Sequence, residues 1–224
     1  MLNIFSKLMS VLLLMLTTTA SAGYIDFTGQ NEGVADEFIF TQEGVTLTIS
    51  AWTTNVKSDS DPSLDQFVVT PWQRLLGSYG VYKGSSGLGV ISSDTDGSHL
   101  DGGEYTDLDD LDEGLLFVFS EQVNFWGFAA DYLSSNDDLN LSIVNFLSPT
   151  TIETTDIFID READSDGYEG FPISSVLGSA FMVWVDGNDD DVRIADTFIT
   201  KVPEPNMLIL FSLVLIGLAV RRKI

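Results

Sequence analysis

Short runs in which hydrophobic and polar residues alternate cover much of the chain between residues 23 and 201. In the clearest run, Gly44 to Trp52, the apolar residues Val45, Leu47, Ile49 and Ala51 alternate with threonine and serine. A period of two predicts a β-strand with one face buried. Runs of this kind, together with short apolar stretches, predict further strands at Tyr24–Thr28, Glu37–Phe40, Leu115–Phe119, Gln122–Ala130, Leu139–Phe146 and Thr151–Asp160.

Two more strands are predicted near the end of this region. The first has Phe181, Val183 and Val185 on one face. The second has four alternate residues on one face, of which the third is a polar break that the pattern leaves unexplained: Val192, Ile194, Asp196 and Phe198. Because strands are numerous and no stretch keeps helical periodicity, the pattern predicts an all-β fold, an antiparallel two-sheet sandwich of jelly-roll type.

The N-terminal segment has the three parts of a secretory signal. Lys7 supplies the positive charge, Leu8 to Leu16 is almost entirely apolar, and Ala20-Ser21-Ala22 is a small-x-small cleavage site. We therefore predict a signal peptide over residues 1–22, export, and a mature chain beginning at Gly23. A buried N-terminal helix is the alternative, but such a helix has a polar face that this stretch lacks.

The C-terminal segment carries a second hydrophobic run. It begins with Val202-Pro203-Glu204-Pro205, continues as Met207 to Val220, and closes with Arg221-Arg222-Lys223. As a helix, the apolar run spans about 21 Å, less than the ~30 Å hydrocarbon core of a bilayer. The basic cluster predicts a cytoplasmic C-terminus, so the preceding domain lies outside.

These C-terminal residues resemble the PEP-CTERM sorting signal of exosortase substrates. The resemblance implies that Pro203, Glu204 and Pro205 are recognised by an exosortase, and that Arg221 and Arg222 stop the segment at the cytoplasmic side. It also implies a Gram-negative bacterium, transient residence in the inner membrane, and then a cell-surface or extracellular location associated with exopolysaccharide and biofilm. The expected organisation is a signal peptide at 1–22, a β-sandwich domain at 23–201 and a sorting signal with a short transmembrane helix at 202–224. A permanent C-terminal anchor stays open as the alternative.

Composition removes several classes of function. The chain has 34 acidic and 10 basic residues and a net charge of −24, which argues against nucleic acid because the phosphate backbone would be repelled. It has no cysteine, which excludes disulfides, thiolate zinc sites and thiol nucleophiles. The single histidine, His99, lies on a predicted loop, so we expect no catalytic triad and no enzyme activity.

Turn-like clusters of acids are candidates for calcium, which takes about six to eight oxygen ligands. None has the glutamate that an EF-hand requires at its twelfth position. Solvated turns are the competing interpretation, and a calcium site in the loops of a sandwich stays open. The candidate ligands are Asp186, Asn188 and Asp190, then Asp94 and Asp96, and finally Asp164 and Asp166.

Three aromatic residues in a Gly- and Ser-rich region, Trp72, Tyr79 and Tyr82, are candidates for stacking on a sugar, although packing in the core is the favoured role for each. The sequence therefore predicts an exported, acidic, non-enzymatic surface or matrix protein with a structural or adhesive role. The alternatives are a lectin-like carbohydrate-binding module and, with less support, an exported carbohydrate-active enzyme.

Overall fold

A computed structural model of the chain describes residues 22–54, 72–92, 100–101, 112–134, 137–149, 151–162, 167–185 and 191–202. The regular secondary structure within these ranges consists of β-strands. The strands are β1 (Ala22–Asp26), β2 (Gly33–Ala35), β3 (Phe38–Gln42), β4 (Val45–Thr54), β5 (Gln73–Arg74), β6 (Gly80–Gly84), β7 (Gly87–Ile91), β8 (Leu100–Asp101), β9 (Asp112–Leu133), β10 (Asp138–Ser148), β11 (Thr151–Glu162), β12 (Gly167–Val185) and β13 (Asp191–Lys201).

The described strands form one 13-stranded sheet with the order β11-β10-β12-β9-β13-β7-β6-β2 along its main path. Strand β4 pairs with β9 and carries β3 and β5, while β1 and β8 pair with β13. The pairings are antiparallel, as in β9 with β12 and β1 with β13. The prediction of an all-β antiparallel fold is confirmed. The two-sheet sandwich of jelly-roll type, the signal peptide and the C-terminal helix stay predictions.

The central strand β9 replaces two strands that the sequence predicts separately, Leu115–Phe119 and Gln122–Ala130. Its first half pairs with β4, from Asp112 to Phe119, and its later half lies beside β13. The rings of Phe119 and Phe125 lie 6.4 Å apart, and Phe125 stacks on Phe181 of β12 at 4.5 Å. The strand therefore bends so that both halves contribute to one hydrophobic core.

Glycine at position 127 allows β12 to lie against the later half of β9. Gly127 has φ +130°, and a Cβ atom there would lie 2.2 Å from the backbone oxygen of Phe171. Only a residue without a side chain combines this φ with such a close approach. The glycine therefore allows β12 to pair closely with β9 at Phe171 and Pro172.

Burial agrees with most of the predicted faces. Val45, Leu47, Ile49 and Ala51 are buried on β4, as the alternation predicts. Phe181, Val183 and Val185 are likewise buried in the main core cluster, on the face predicted for them.

The predicted face of β13 is wrong in its second half. Val192 and Ile194 lie in the core, but Phe198 is 37% exposed and its neighbour Ile199 lies in the core instead. The alternation therefore shifts by one residue between Ile194 and Ile199. As a result, Asp196 and Phe198 belong to the outer face of the sheet, on the side opposite Ile199.

Candidate functional site

The polar residue that the sequence leaves unexplained, Asp196, is the centre of the candidate site. It lies on β13, between β1 and the later half of β9, and only 1% of its surface is exposed. Its partner in the register of β1 is Asp26. Burial of a carboxylate is costly unless hydrogen bonds satisfy it, so its surroundings must supply donors.

Two tyrosine hydroxyls supply them. Tyr168 of β12 donates to Oδ2 of Asp196 at 2.6 Å, and Tyr24 of β1 donates to the same oxygen at 3.2 Å. Tyr24 and Asp26 lie on the exposed face of β1, because the alternation of that strand buries Gly23 and Ile25. Three strands therefore place two phenols over one carboxylate.

The site is electrostatically coupled. Burial raises the pKa of Asp196 above its usual value; the hydrogen bonds from Tyr168 and Tyr24 lower this pKa, and the charge of Asp26 raises it. Burial is also the largest cause that raises the pKa values of Tyr168 and Tyr24, and Asp196 raises both further. The phenols are therefore held in their neutral, proton-donating form over a wide range of pH.

Two more aromatic side chains extend this surface along β13. Phe198 pairs with Tyr24 in register, and the two ring centroids are 5.4 Å apart. Trp126 of β9 donates its indole N–H to the hydroxyl of Thr200 at 2.6 Å. We call Tyr24, Trp126, Tyr168 and Phe198 the aromatic face; between 37% and 56% of each residue is exposed.

The aromatic face presents ring surfaces that are held in place by neighbours. Each ring is fixed by a hydrogen bond, a ring contact or both, so little rotamer freedom remains to be lost on binding. Exposed aromatic residues gathered on one surface of a folded domain are typical of an interaction site. The arrangement is suited to binding a ligand that has flat apolar surfaces and hydroxyl groups.

The three aromatic residues that the sequence selects for sugar stacking lie elsewhere. Trp72 is 9% exposed and packs edge-on against Trp184 at 5.8 Å, which is the packing role that the sequence favours. Tyr82 is half-buried, with the guanidinium carbon of Arg193 5.2 Å from its ring centre. Tyr79 is also partly buried. None of the three belongs to the aromatic face.

The other predicted sites lie mainly outside the described residues. This holds for the calcium candidates Asp94, Asp96, Asp164, Asp166, Asp186, Asn188 and Asp190, for Ala20 of the signal peptide, and for Pro203, Glu204, Pro205, Arg221 and Arg222 of the sorting signal. Ala22 is described and is the first residue of β1. Within the described ranges, no group of three or more His, Cys, Asp or Glu side chains is arranged to hold a metal ion. Those ranges also contain no helix of the length and apolarity needed to cross a membrane.

Sequence reasoning selects no residue of this site as functional. Asp196 stands out as a polar break in an apolar pattern, but the sequence leaves that break unexplained. Tyr24, Trp126 and Tyr168 give no such signal, because an aromatic residue in a strand is more often part of the core.

Comparison with known proteins identifies the C-terminal segment. Residues 201–223 match the family model of the PEP-CTERM protein-sorting motif. The predicted sorting signal is thereby confirmed, and the motif indicates an exported protein that an exosortase processes and that is directed to the cell surface. No curated protein and no solved structure matches the chain.

Proposed function

We propose that this protein is a non-enzymatic component of the cell surface or extracellular matrix, and that its β-domain holds exopolysaccharide on the aromatic face. The sorting motif supports the location. The observation that carries the binding role is the exposure of four aromatic side chains together on β1, β9, β12 and β13. A role in the biofilm matrix of a Gram-negative bacterium is part of this proposal.

Carbohydrate fits this face better than a folded protein partner. The C–H surfaces of a pyranose ring pack on aromatic rings, while its hydroxyls need polar groups beside those rings. Asp26 and the phenols of Tyr24 and Tyr168 provide such groups within the face. The rings follow β13 from Asp196 to Thr200, about 13 Å along a strand, so the surface is a stripe that suits a polymer.

Retention of the secreted protein on insoluble cellulose tests the proposal. We expect Tyr24→Ala and Trp126→Ala each to reduce retention, because each removes a stacking ring. The matched control is Phe146→Ala, which removes a ring that is 49% exposed on β10, outside the face. Circular dichroism confirms that each variant is folded.

Three outcomes would contradict the proposal. Retention that is unchanged by Tyr24→Ala and Trp126→Ala would exclude the aromatic face as the binding surface. Release of reducing ends from the polysaccharide, lost in Asp196→Asn, would favour the exported carbohydrate-active enzyme. A change in oligomeric state without any retention would show that the face binds a second copy of the chain.

Calcium is proposed as a ligand of the acidic loops, which would make the domain lectin-like if the ion also bridges to sugar. The acid-rich turns of the sequence support this, because clustered carboxylates can supply the oxygen ligands that calcium takes. Bound calcium is expected to raise the melting temperature with the logarithm of its excess. Calorimetry with calcium and with chelator at matched ionic strength measures this, and equal midpoints would exclude the site.

Processing by the exosortase is proposed to remove the hydrophobic tail. Mass spectrometry of the secreted protein should then find a chain that starts at Gly23 and ends near Pro205. An intact C-terminus in the membrane fraction would show instead that the segment is a permanent anchor.

A further inference from the structure

The hydroxyl protons of the two tyrosines at Asp196 both point into the protein. Tyr168 and Tyr24 each donate to Oδ2 of Asp196, at 2.6 and 3.2 Å. A phenol has one proton to donate and lone pairs with which to accept. Since both protons are directed to the carboxylate, only the lone pairs of the two phenol oxygens remain for a ligand.

The carboxylate is the acceptor of both hydrogen bonds. Both donors meet at Oδ2, and hydrogen bonds of this kind favour the ionised form of the carboxylate. Asp26 lies opposite Asp196 in the register of β1 and β13, so a second acid adds negative charge to the same surface. The chain as a whole carries a net charge of −24.

Arg193 is the basic residue nearest to Asp196 along β13, and it does not neutralise the negative charge that a ligand would meet at the aromatic face. Arg193 is 8% exposed, and its guanidinium carbon lies 4.9 Å from the ring centre of Tyr132 and 5.2 Å from that of Tyr82. It is therefore occupied between two rings and is not presented to solvent.

We infer that the aromatic face selects neutral glycans, which donate hydroxyl hydrogen bonds to the phenol oxygens of Tyr24 and Tyr168, and rejects polyuronates. This inference rests on the proposed polysaccharide binding and names its ligand class. A uronate carboxylate offers only acceptors and negative charge, so it meets lone pairs and a like charge at this site. N-acetylated amino sugars belong to the accepted class, because they are neutral and carry donors.

The test compares two soluble oligosaccharides of equal length, a neutral β-glucan and an alginate, by calorimetric titration of the secreted protein. Chelator is present throughout, so that calcium cannot bridge the alginate to the acidic chain. We expect the β-glucan to bind at least about tenfold more tightly than the alginate.

Two variants locate the selectivity. Asp196→Asn keeps the shape of the side chain but brings an N–H donor and no charge, which frees a phenol proton to turn outward. We expect it to narrow the ratio of β-glucan to alginate affinity by about tenfold. Tyr168→Phe keeps the stacking ring but removes one phenol oxygen, and we expect β-glucan affinity to fall about three- to tenfold. Phe146→Ala serves again as the control.

The outcomes separate this inference from the proposed function. Equal binding of both oligosaccharides, still lost in Tyr24→Ala, would overturn the selectivity and leave the polysaccharide role intact. An unchanged ratio in Asp196→Asn, with Tyr168→Phe also unchanged, would overturn it as well. Absence of binding to either oligosaccharide would overturn both. If Asp196→Asn does not fold, Tyr168→Phe decides alone, since it keeps the buried carboxylate and one of its donors.

Discussion

Removing one of the two phenol hydroxyls that donate hydrogen bonds to Asp196 should measurably destabilise the protein. Tyr168→Phe deletes the 2.6 Å hydrogen bond to the buried carboxylate and leaves the ring in place. A hydrogen bond to a charged group contributes about 1.5–3 kcal/mol. Because the ring of Tyr168 is 56% exposed, water competes for the bond, and we expect a loss in the lower half of that range.

Tyr24→Phe provides the internal comparison. Its hydrogen bond to the same oxygen is longer, 3.2 Å, so its loss should cost about 0.5–1.5 kcal/mol. The double variant should cost more than the two single losses together, because it leaves the buried carboxylate without either phenol donor. In an Asp196→Asn background the acceptor is neutral, and Tyr168→Phe should then cost only about 1 kcal/mol.

Chemical denaturation with linear extrapolation measures these free energies of unfolding. The reasoning would be refuted if Tyr168→Phe cost no more than Tyr24→Phe. It would also be refuted if the cost of Tyr168→Phe were the same beside Asp196 and beside asparagine. Either result would mean that the hydrogen bonds from these phenols do not stabilise the charged carboxylate as their lengths indicate.

Three further predictions concern the bend in β9, the close approach of β12 at Gly127 and the titration of Tyr168. Phe125→Ala should destabilise the domain by about 3–5 kcal/mol, since the ring is fully buried against Phe119 of the first half of β9 and Phe181 of β12. Leu177→Ala on the exposed side of β12 should stay within about 0.5 kcal/mol in the same denaturation assay. Gly127→Ala should cost about 1–3 kcal/mol or prevent folding, and the control Gly170→Ala, which has no atom within 4 Å of an added Cβ, should be tolerated. In an alkaline titration followed by phenolate absorbance, Tyr168 should ionise above the ordinary tyrosine pKa of 10.0. Because this pKa is raised by folding, its stabilising contribution is complete below pH 10.0 and is lost as the pH rises further; a Tyr168 that ionised at its ordinary value would contradict the geometry.

Local alternation predicts much of this fold. The clearest case is the run from Gly44 to Trp52: the structure places all of it except Gly44 in β4, and the predicted apolar face is buried. The signal is strong there because the four apolar residues face the core and Thr46, Thr48 and Ser50 face away from it, so a shift of one residue would reverse the two sets. Strand existence and face follow from such residues without any knowledge of the neighbouring strands.

Bends within a strand are not predictable in the same way. Ser120 and Glu121 interrupt the apolar pattern of β9 and are typical of a turn, so the sequence predicts two strands. The chain continues instead as one strand, because Phe119 and Phe125 pack against each other across the bend. The gain comes from contacts that only the folded core provides. The shifted face of β13 has the same origin, since pairing with β1 decides which side Asp196 takes.

The two kinds of functional information in this chain differ in where they reside. The sorting motif is contained in residues 201–223 and was identified from the order of its parts, because a processing enzyme reads such a segment as a linear sequence. The aromatic face is not encoded by one continuous segment. Tyr24 and Asp196 are 172 positions apart in the sequence, and Trp126 and Thr200, which share a hydrogen bond, are 74 positions apart. Each ring alone is an ordinary strand residue, and only antiparallel pairing in one register brings them to one surface. A polar residue in an apolar pattern is therefore the one local trace that such a surface leaves, since a buried carboxylate requires donors from other strands. Asp196 marks the face for that reason.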